Sequence, residues 1–216
     1  MQTTAYFIDF DFTISRGDVW DAIVKHCAPD LWQEVVAQYI RGEITSRQYN
    51  LRIAEIIQPD KEEITELVLS IGIDPTFPDF VQWATRRESP LTVVSDGYDF
   101  YIDLLLRAAN LDFLPVFSNK MVWKKDGIDV EFPLYRADCP VDMAHCKCQH
   151  FEKFPLARHV YIGDGISDIC AATKCETIYA KRNLLDHCVQ NEIPHTSFEN
   201  YHQIIQAEEA LLVGTL

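Results

Sequence analysis

The 216-residue sequence has too little positive charge to serve a polyanion: 19 Lys and Arg stand against 33 Asp and Glu, a formal net charge of −14. A nucleic-acid backbone or an anionic lipid surface would be repelled over most of such a protein. The sequence also lacks any apolar run approaching the roughly 18 residues that a membrane span requires. Its first residues, Met1 to Ile8, offer no basic flank before an apolar stretch and lead directly to Asp9 and Asp11, so no signal peptide is expected. There is no internal repeat and no low-complexity tract. Seven cysteines, an odd number with no secretory leader, are expected as reduced thiols in the cytoplasm rather than as a disulfide framework. What is present is an ordinary globular composition: 48% hydrophobic and 24% charged residues exclude fibrous and disordered readings. A small anionic substrate stays compatible with the acidic balance, because a bound divalent cation reverses the local field. The expected partner is therefore a small molecule, with no nucleic acid and no membrane, and the chain is expected to act alone or as a homodimer.

The hydrophobic period changes twice along the chain. Residues 4–8 form an apolar, aromatic-rich run that ends in acidic residues, as a strand buried on both faces does. Between 16 and 87 the spacing is helical. Leu31, Val35 and Tyr39 mark one face, and Leu51, Ile53, Ile56 and Ile57 mark another on a helix expected from Ser46 to Gln58. Ile64, Leu67, Val68 and Ile71 mark a third, with Asp60 and Glu63 placed as a capping box at its start. After Pro90 short apolar runs return, Leu91–Val94 before Ser95-Asp96-Gly97 and His159–Ile162 before Gly163-Asp164-Gly165. Lys124 to Gly127 reads as the turn of a hairpin between Met121–Trp123 and Ile128–Val130. The pattern predicts an α/β fold, a Rossmann-like parallel sheet with helices on both faces, made from residues 1–15 and 88–216, with an all-helical cap of residues 16–87 inserted after the first strand. Ligands of such sheets bind beyond the C-terminal strand ends.

Polar residues of complementary kinds stand at those ends: Asp9 and Asp11 on the first strand, Ser95 on the second, Asp164 and Asp168 on the last. Alternation along a strand puts Asp9 and Asp11 on one side. Clustered carboxylates repel one another, and a hard cation with oxygen ligands, Mg²⁺ foremost, is the simplest stabiliser. One carboxylate could then attack phosphorus while its neighbour handles protons. The competing reading is that each aspartate caps the turn or helix that follows it. That reading fits any one of them and weakens when several stand at successive strand ends.

Asp9-Phe10-Asp11-Phe12-Thr13, Ser95-Asp96-Gly97, a lysine ahead of the last strand, and Gly163-Asp164-Gly165-Ile166-Ser167-Asp168 resemble, in order, the four motifs of the haloacid dehalogenase superfamily of phosphohydrolases. The resemblance implies that Asp9 is a nucleophile forming an aspartyl-phosphate, and that Asp11 protonates the leaving oxygen and then activates water. It implies that Thr13, Ser95, Asp96, Gly97 and Lys147 surround the phosphoryl group, and that Asp9, Asp11 (through its backbone carbonyl), Asp164 and Asp168 form or support a Mg²⁺ site. The implied substrate is a small phosphorylated metabolite. Phe12 departs from the family, which often has a small residue there, and would line the pocket. Lys147 is favoured over Lys153 as the motif lysine because it stands at the start of the expected helix. Ser95 to Phe100, the cysteine-rich approach to the lysine, and Ala180 to Leu185 resemble the methionine-salvage phosphatases of the superfamily. Asp18 and Arg52 fall where the phosphoserine phosphatases place an acidic residue and an arginine that read the amino-acid end.

Cys139, His145, Cys146, Cys148 and His150 crowd around Lys147, but Cys-x-Cys without a second well-spaced pair is a poor tetrahedral zinc framework. Buried or loop thiols are expected there. A phospho-acceptor signalling module also uses an aspartate at a strand end. The helical insertion and the acid/base partner two residues beyond Asp9 argue against it, since a signalling domain needs a slowly hydrolysed phosphoaspartate.

Overall fold

A computed structural model of the chain describes residues 3–139 and 142–213. Of the expected core segments, residues 1–2, 140–141 and 214–216 lie outside the described residues. The chain begins with β1 (Thr4–Ile8) and continues through α1 (Val19–Cys27), α2 (Trp32–Ile40), α3 (Ser46–Ile56), α4 (Lys61–Ile71) and α5 (Phe77–Arg86). It then runs β2 (Leu91–Tyr98), α6 (Asp99–Ala108), β3 (Val116–Lys124), β4 (Gly127–Glu131), a 3₁₀ segment (Lys147–Lys153) and β5 (Arg158–Gly163). Last come α7 (Ile169–Ala172), β6 (Thr177–Ala180), α8 (Arg182–Gln190), β7 (Thr196–Ser197) and α9 (Tyr201–Val213).

The sheet order is β4-β3-β2-β1-β5-β6-β7, parallel throughout except for the β3–β4 hairpin. β1 is central, with Tyr6 opposite Leu91 on one side and Val160 on the other. That position explains its unbroken apolar run, since a strand flanked and covered on both faces has no solvated side. Tyr6 packs edge-on against Phe80 at 5.2 Å, and its hydroxyl donates to Glu208. Glu208, buried on α9, also accepts from Tyr179 and Arg158, so one carboxylate fastens the last helix to β1, β5 and β6. A buried carboxylate is tolerable only when its oxygens are filled in this way.

Within the 16–87 stretch the five helices do not behave alike. α5 lies against α9, with Phe77 and Phe80 on Tyr201 and the Trp83 indole donating to Glu209. It therefore packs with the sheet layer. α1 to α4 stand over the C-terminal ends of the strands, with α3 near β4 and α4 near α6. α3 begins with a full capping box, Thr45 with Gln48, and α4 is capped by Asp60, which accepts from the N–H groups of Glu62 and Glu63. Their apolar faces, Ile23, Val24, Ile53, Ile64 and Val68, join the same core as the sheet.

Candidate active site

The site is made where three parallel strands end side by side. At β1, Asp9 is 5% exposed and its N–H still donates to Ile162, continuing the ladder by one residue. The chain then turns sharply: Phe12 takes a left-handed φ of 54°, and Ser15 and Ile14 donate back to the Phe10 carbonyl. At β2 the pairing slips, because Val94 faces Phe117 while Tyr98 faces Asn119, four steps along one strand against two along the other. The bulge pushes Ser95, Asp96 and Gly97 out of the ladder towards Asp9. At β5, Asp164 and Asp168 bracket a tight turn in which Asp168 Oδ2 accepts from the N–H groups of Asp164 and Gly165.

Lys147 joins these strand ends. Its ammonium donates to Asp9 Oδ1 at 2.6 Å, Asp168 Oδ1 at 2.6 Å and Ser167 Oγ at 3.2 Å, which uses all three of its protons. Burial opposes the charge, but Asp168 and Asp9 outweigh it and hold the lysine's pKa above its ordinary value. Lys147 opens a 3₁₀ segment rather than the expected helix. Lys153 ends that segment on the outside, with its ammonium 3.5 Å from the centre of the Phe117 ring.

Asp9, Asp164 and Asp168 bring carboxylate oxygens within 4.8 Å of one another. Burial, then repulsion by Asp168, pushes the Asp9 carboxyl well above the usual range, and the same two causes raise Asp164 to about 7. A buried set of repelling oxygen donors has the chemistry of a hard-cation site. The members are not equivalent, however. Both oxygens of Asp168 are already taken, by Lys147 and Tyr161 on one and two N–H groups on the other, so it fastens the loop and the lysine. The Asp11 carboxyl stands apart, with Oδ1 accepting from Val19 N–H and Oδ2 from the Tyr101 hydroxyl, each at 2.8 Å. Burial, then Asp18, raises its pKa well above the ordinary value.

The structure gives the remaining expected residues varied positions. Ser95 Oγ accepts from Gly97 N–H, which leaves the hydroxyl proton free for a ligand. Thr13 is fully buried and its hydroxyl points at Asp164 Oδ1, at 3.4 Å, so it braces the acidic cluster. The Asp96 carboxylate accepts from Ser46 of α3, Asn119 and His145 N–H, tying the β2 bulge to the helices above it. Asp18 caps α1 through Asp21 N–H and also lines the cavity. Arg52 is not brought to the site: it lies on the outer side of α3, donating to Gln38 of α2. The expected helix from Ser46 to Gln58 ends at Ile56, and its inward residues are Ser46 and Asn50.

Over the acidic floor lies a cavity of about 320 Å³, walled on the helical side by Trp20, Tyr39, Tyr49 and Asn50. Tyr39 and Tyr49 are stacked at 5.3 Å. At the rim Arg182, itself left-handed at φ 52°, covers the Phe12 ring at 3.7 Å and approaches Asp164 Oδ2 at 3.3 Å. Phe12 lines the cavity as the sequence suggests, whereas Trp20, Tyr49 and Asn50 carry no signal of a site, because aromatic residues at helical spacing look like core. Behind the lysine, His145 and His150 share a 2.7 Å contact between Nε2 atoms. Burial lowers their pKa values to about 3 and about 4, so both rings are neutral. His145 Nδ1 then donates to the Ser95 carbonyl and its Nε2 accepts from His150. The neighbouring thiols are free, with Cys148 Sγ 3.5 Å from Cys170 Sγ.

Comparison with known proteins follows the same lines. Residues 4–183 match the model of a family described as Putative Phosphatase. The chain is 25% identical over 205 residues to a 2-hydroxy-3-keto-5-methylthiopentenyl-1-phosphate phosphatase of Brevibacillus brevis, covering 93% of this chain and 92% of that protein. It is 29% identical over 214 residues to the protein of the same name from Geobacillus thermodenitrificans, covering 96% of each. Among solved structures, a phospho-aspartyl intermediate analogue of phosphoserine phosphatase superposes with a TM-score of 0.74 at 16% identity, covering 96% of this chain and 99% of that one. A substrate-bound phosphoserine phosphatase complex gives 0.73 at 16% identity, with the same coverage.

Proposed function

The chain belongs to the Putative Phosphatase family and is a phosphatase of the haloacid dehalogenase type; from that premise we propose that it hydrolyses a small phosphate monoester through an aspartyl-phosphate on Asp9. The observation that carries this reading is the unequal treatment of two carboxylates only two residues apart. Asp9 is gripped by Lys147 on the cavity floor, whereas Asp11 is drawn aside by Val19 and Tyr101. Two carboxyl groups with different partners suit two different tasks.

In the first step an Asp9 oxygen bonds to phosphorus as the ester P–O bond breaks, and the Asp11 proton passes to the departing oxygen. In the second, water attacks phosphorus, Asp11 takes its proton, and the bond to Asp9 breaks to release phosphate. Lys147 orients Asp9 and offsets the charge that gathers on the phosphoryl group. The Ser95 hydroxyl, with its proton free, donates to a phosphoryl oxygen. Mg²⁺, held by the Asp9 and Asp164 carboxylates and the Asp11 carbonyl, would neutralise the equatorial phosphoryl oxygens. Asp168 keeps Lys147 and the Asp164 turn in place.

For the substrate we favour 2-hydroxy-3-keto-5-methylthiopentenyl 1-phosphate, the compound in the names of the sequence relatives, over phosphoserine. The cavity wall contributed by α1 to α3 is mainly aromatic and carries no cation for an amino acid's carboxylate; Arg182, the cation that lines the cavity, sits at the opposite rim against Phe12 and Asp164. A largely apolar tail carrying keto and hydroxyl oxygens suits that wall, with Asn50 and Ser46 as polar contacts. The test is a steady-state comparison of both compounds, ranked by kcat/KM in the same assay. A tenfold or greater preference for phosphoserine overturns the substrate and leaves the chemistry standing. Absence of turnover on either compound and on p-nitrophenyl phosphate overturns the chemistry.

A further inference from the structure

A general acid works only if its proton is aimed at the departing oxygen, and the carboxyl of Asp11 has a short, freely rotating stem. Two donors stop that rotation. Val19 N–H, in the first turn of α1, reaches Oδ1 at 2.8 Å, and the Tyr101 hydroxyl, on α6, reaches Oδ2 at 2.8 Å. The first donor belongs to the helical insertion. The second belongs to α6, in the sheet layer.

Tyr101 is fully buried, with its ring against Phe10 at 6.1 Å and Tyr98 at 6.4 Å between centroids. Its hydroxyl lies in the space beside Gly97. A Cβ at position 97 would fall 1.9 Å from the Tyr101 hydroxyl oxygen and 2.8 Å from Asp11 Oδ2. Gly97 is not among the residues with positive φ, so its backbone does not require glycine. The missing side chain is needed for room, and what occupies the room is the Tyr101–Asp11 hydrogen bond.

We propose that Tyr101 is a positioning residue for this reaction, fixing the Asp11 carboxyl so that its proton faces the leaving oxygen, and that Gly97 is glycine to admit that contact. The inference rests on Asp11 being the proton donor. Tyr101 keeps its own proton throughout. The proton that moves goes from Asp11 to the leaving oxygen as the ester bond breaks, and is replaced from the attacking water.

The test is Tyr101→Phe, which deletes only the hydroxyl, run beside Asp11→Asn. Each is assayed for kcat/KM on n-butyl phosphate, whose alkoxide needs a proton to leave, and on p-nitrophenyl phosphate, whose phenolate leaves without one. The quantity read is the ratio of the two losses, which an inactive or misfolded fraction of the preparation does not change. For Tyr101→Phe the loss on butyl phosphate should exceed that on p-nitrophenyl phosphate at least tenfold, and Asp11→Asn should shift the ratio further in the same direction. If Asp11→Asn is selective but Tyr101→Phe lowers both substrates equally, or neither, the positioning role is refuted while Asp11 keeps its part. If Asp11→Asn itself costs both substrates equally, the proton-donor reading fails and takes the Tyr101 role with it.

Discussion

Replacing Lys147 with methionine keeps an unbranched stem one atom shorter and removes the charge. The structure fixes what should follow. Lys147 is 3% exposed, and its ammonium serves two buried carboxylates, each at 2.6 Å. Removing one partner of such a buried arrangement costs about 3–5 kcal/mol, mostly because the other charges remain without compensation. In a chain of this size each kcal/mol moves the melting temperature by about 2–4 °C, so the expected fall is about 6–20 °C. The loss depends on pH. Without Lys147 the Asp9 carboxyl, already raised by burial and Asp168, rises further. A carboxyl whose folded pKa exceeds its unfolded value contributes stability at low pH that is lost as pH climbs through the folded value. The gap between wild type and variant should therefore be narrowest near pH 4 and widest near pH 8. Activity should fall by about 10²–10³ in kcat, as for the loss of one charge-stabilising donor in a water-excluded site. Calorimetry at several pH values and steady-state assay measure both effects. Lys153→Met is the control: it loses only a surface cation–π contact worth about 0.5–1 kcal/mol. A Lys147→Met protein that melts within 2 °C of wild type at pH 8 and turns over normally would refute the reasoning, as would a larger effect at Lys153.

Three further outcomes are expected. Chelation with EDTA should abolish activity, and Mg²⁺ rather than Zn²⁺ should restore it, since the donors are all oxygens; activity that survives exhaustive chelation excludes the Asp9–Asp164 site. With Asp164 raised to about 7 against an unfolded value near 4, the metal-free protein should lose stability as pH rises from 4 to 7, and the Tm gain from added Mg²⁺ should be larger at pH 8 than at pH 5. A gain that does not change with pH would contradict it. Arg52→Ala should leave kcat/KM for both candidate substrates within twofold, because the guanidinium meets Gln38 outside the cavity; a selective tenfold loss on either would show that α3 turns inward during turnover.

The sheet and its strand-end chemistry were legible because each chemical residue follows directly on a short apolar run. A parallel sheet brings such ends together whatever the sequence distance between them, and Asp9, Ser95 and Asp164 meet for that reason. The helical side was harder to read. Period reveals a helix but names its inner face only once the partner is known. On α3 the buried positions Ser46, Asn50, Ile53 and Ala54 make a consistent stripe that leaves Arg52 outside, yet two of the four are polar and do not announce a buried face. α5 reads as one more helix of the insertion, but its Phe77, Phe80 and Trp83 find their partners in α9 and β1. Tyr101 follows an aromatic pattern that any core helix shows, and only the space beside Gly97 reveals its second duty. Asp168 stands beside Asp9 and Asp164, but the four donors that fill its oxygens, two side chains from different segments and two backbone N–H groups of its own turn, have no mark in the sequence.

Passage of the phosphoryl group through Asp9 can be caught in the act. Mixing Mg²⁺-loaded enzyme with a ³²P-labelled phosphate monoester for a few milliseconds, quenching in acid and digesting the protein traps the intermediate. Label is expected on the peptide containing Asp9, appearing before free phosphate and absent from Asp9→Asn, whose turnover should be lower by more than about 10³. Free phosphate released at the full rate with no protein-bound label at any time, or label on a peptide without Asp9, would contradict passage through Asp9.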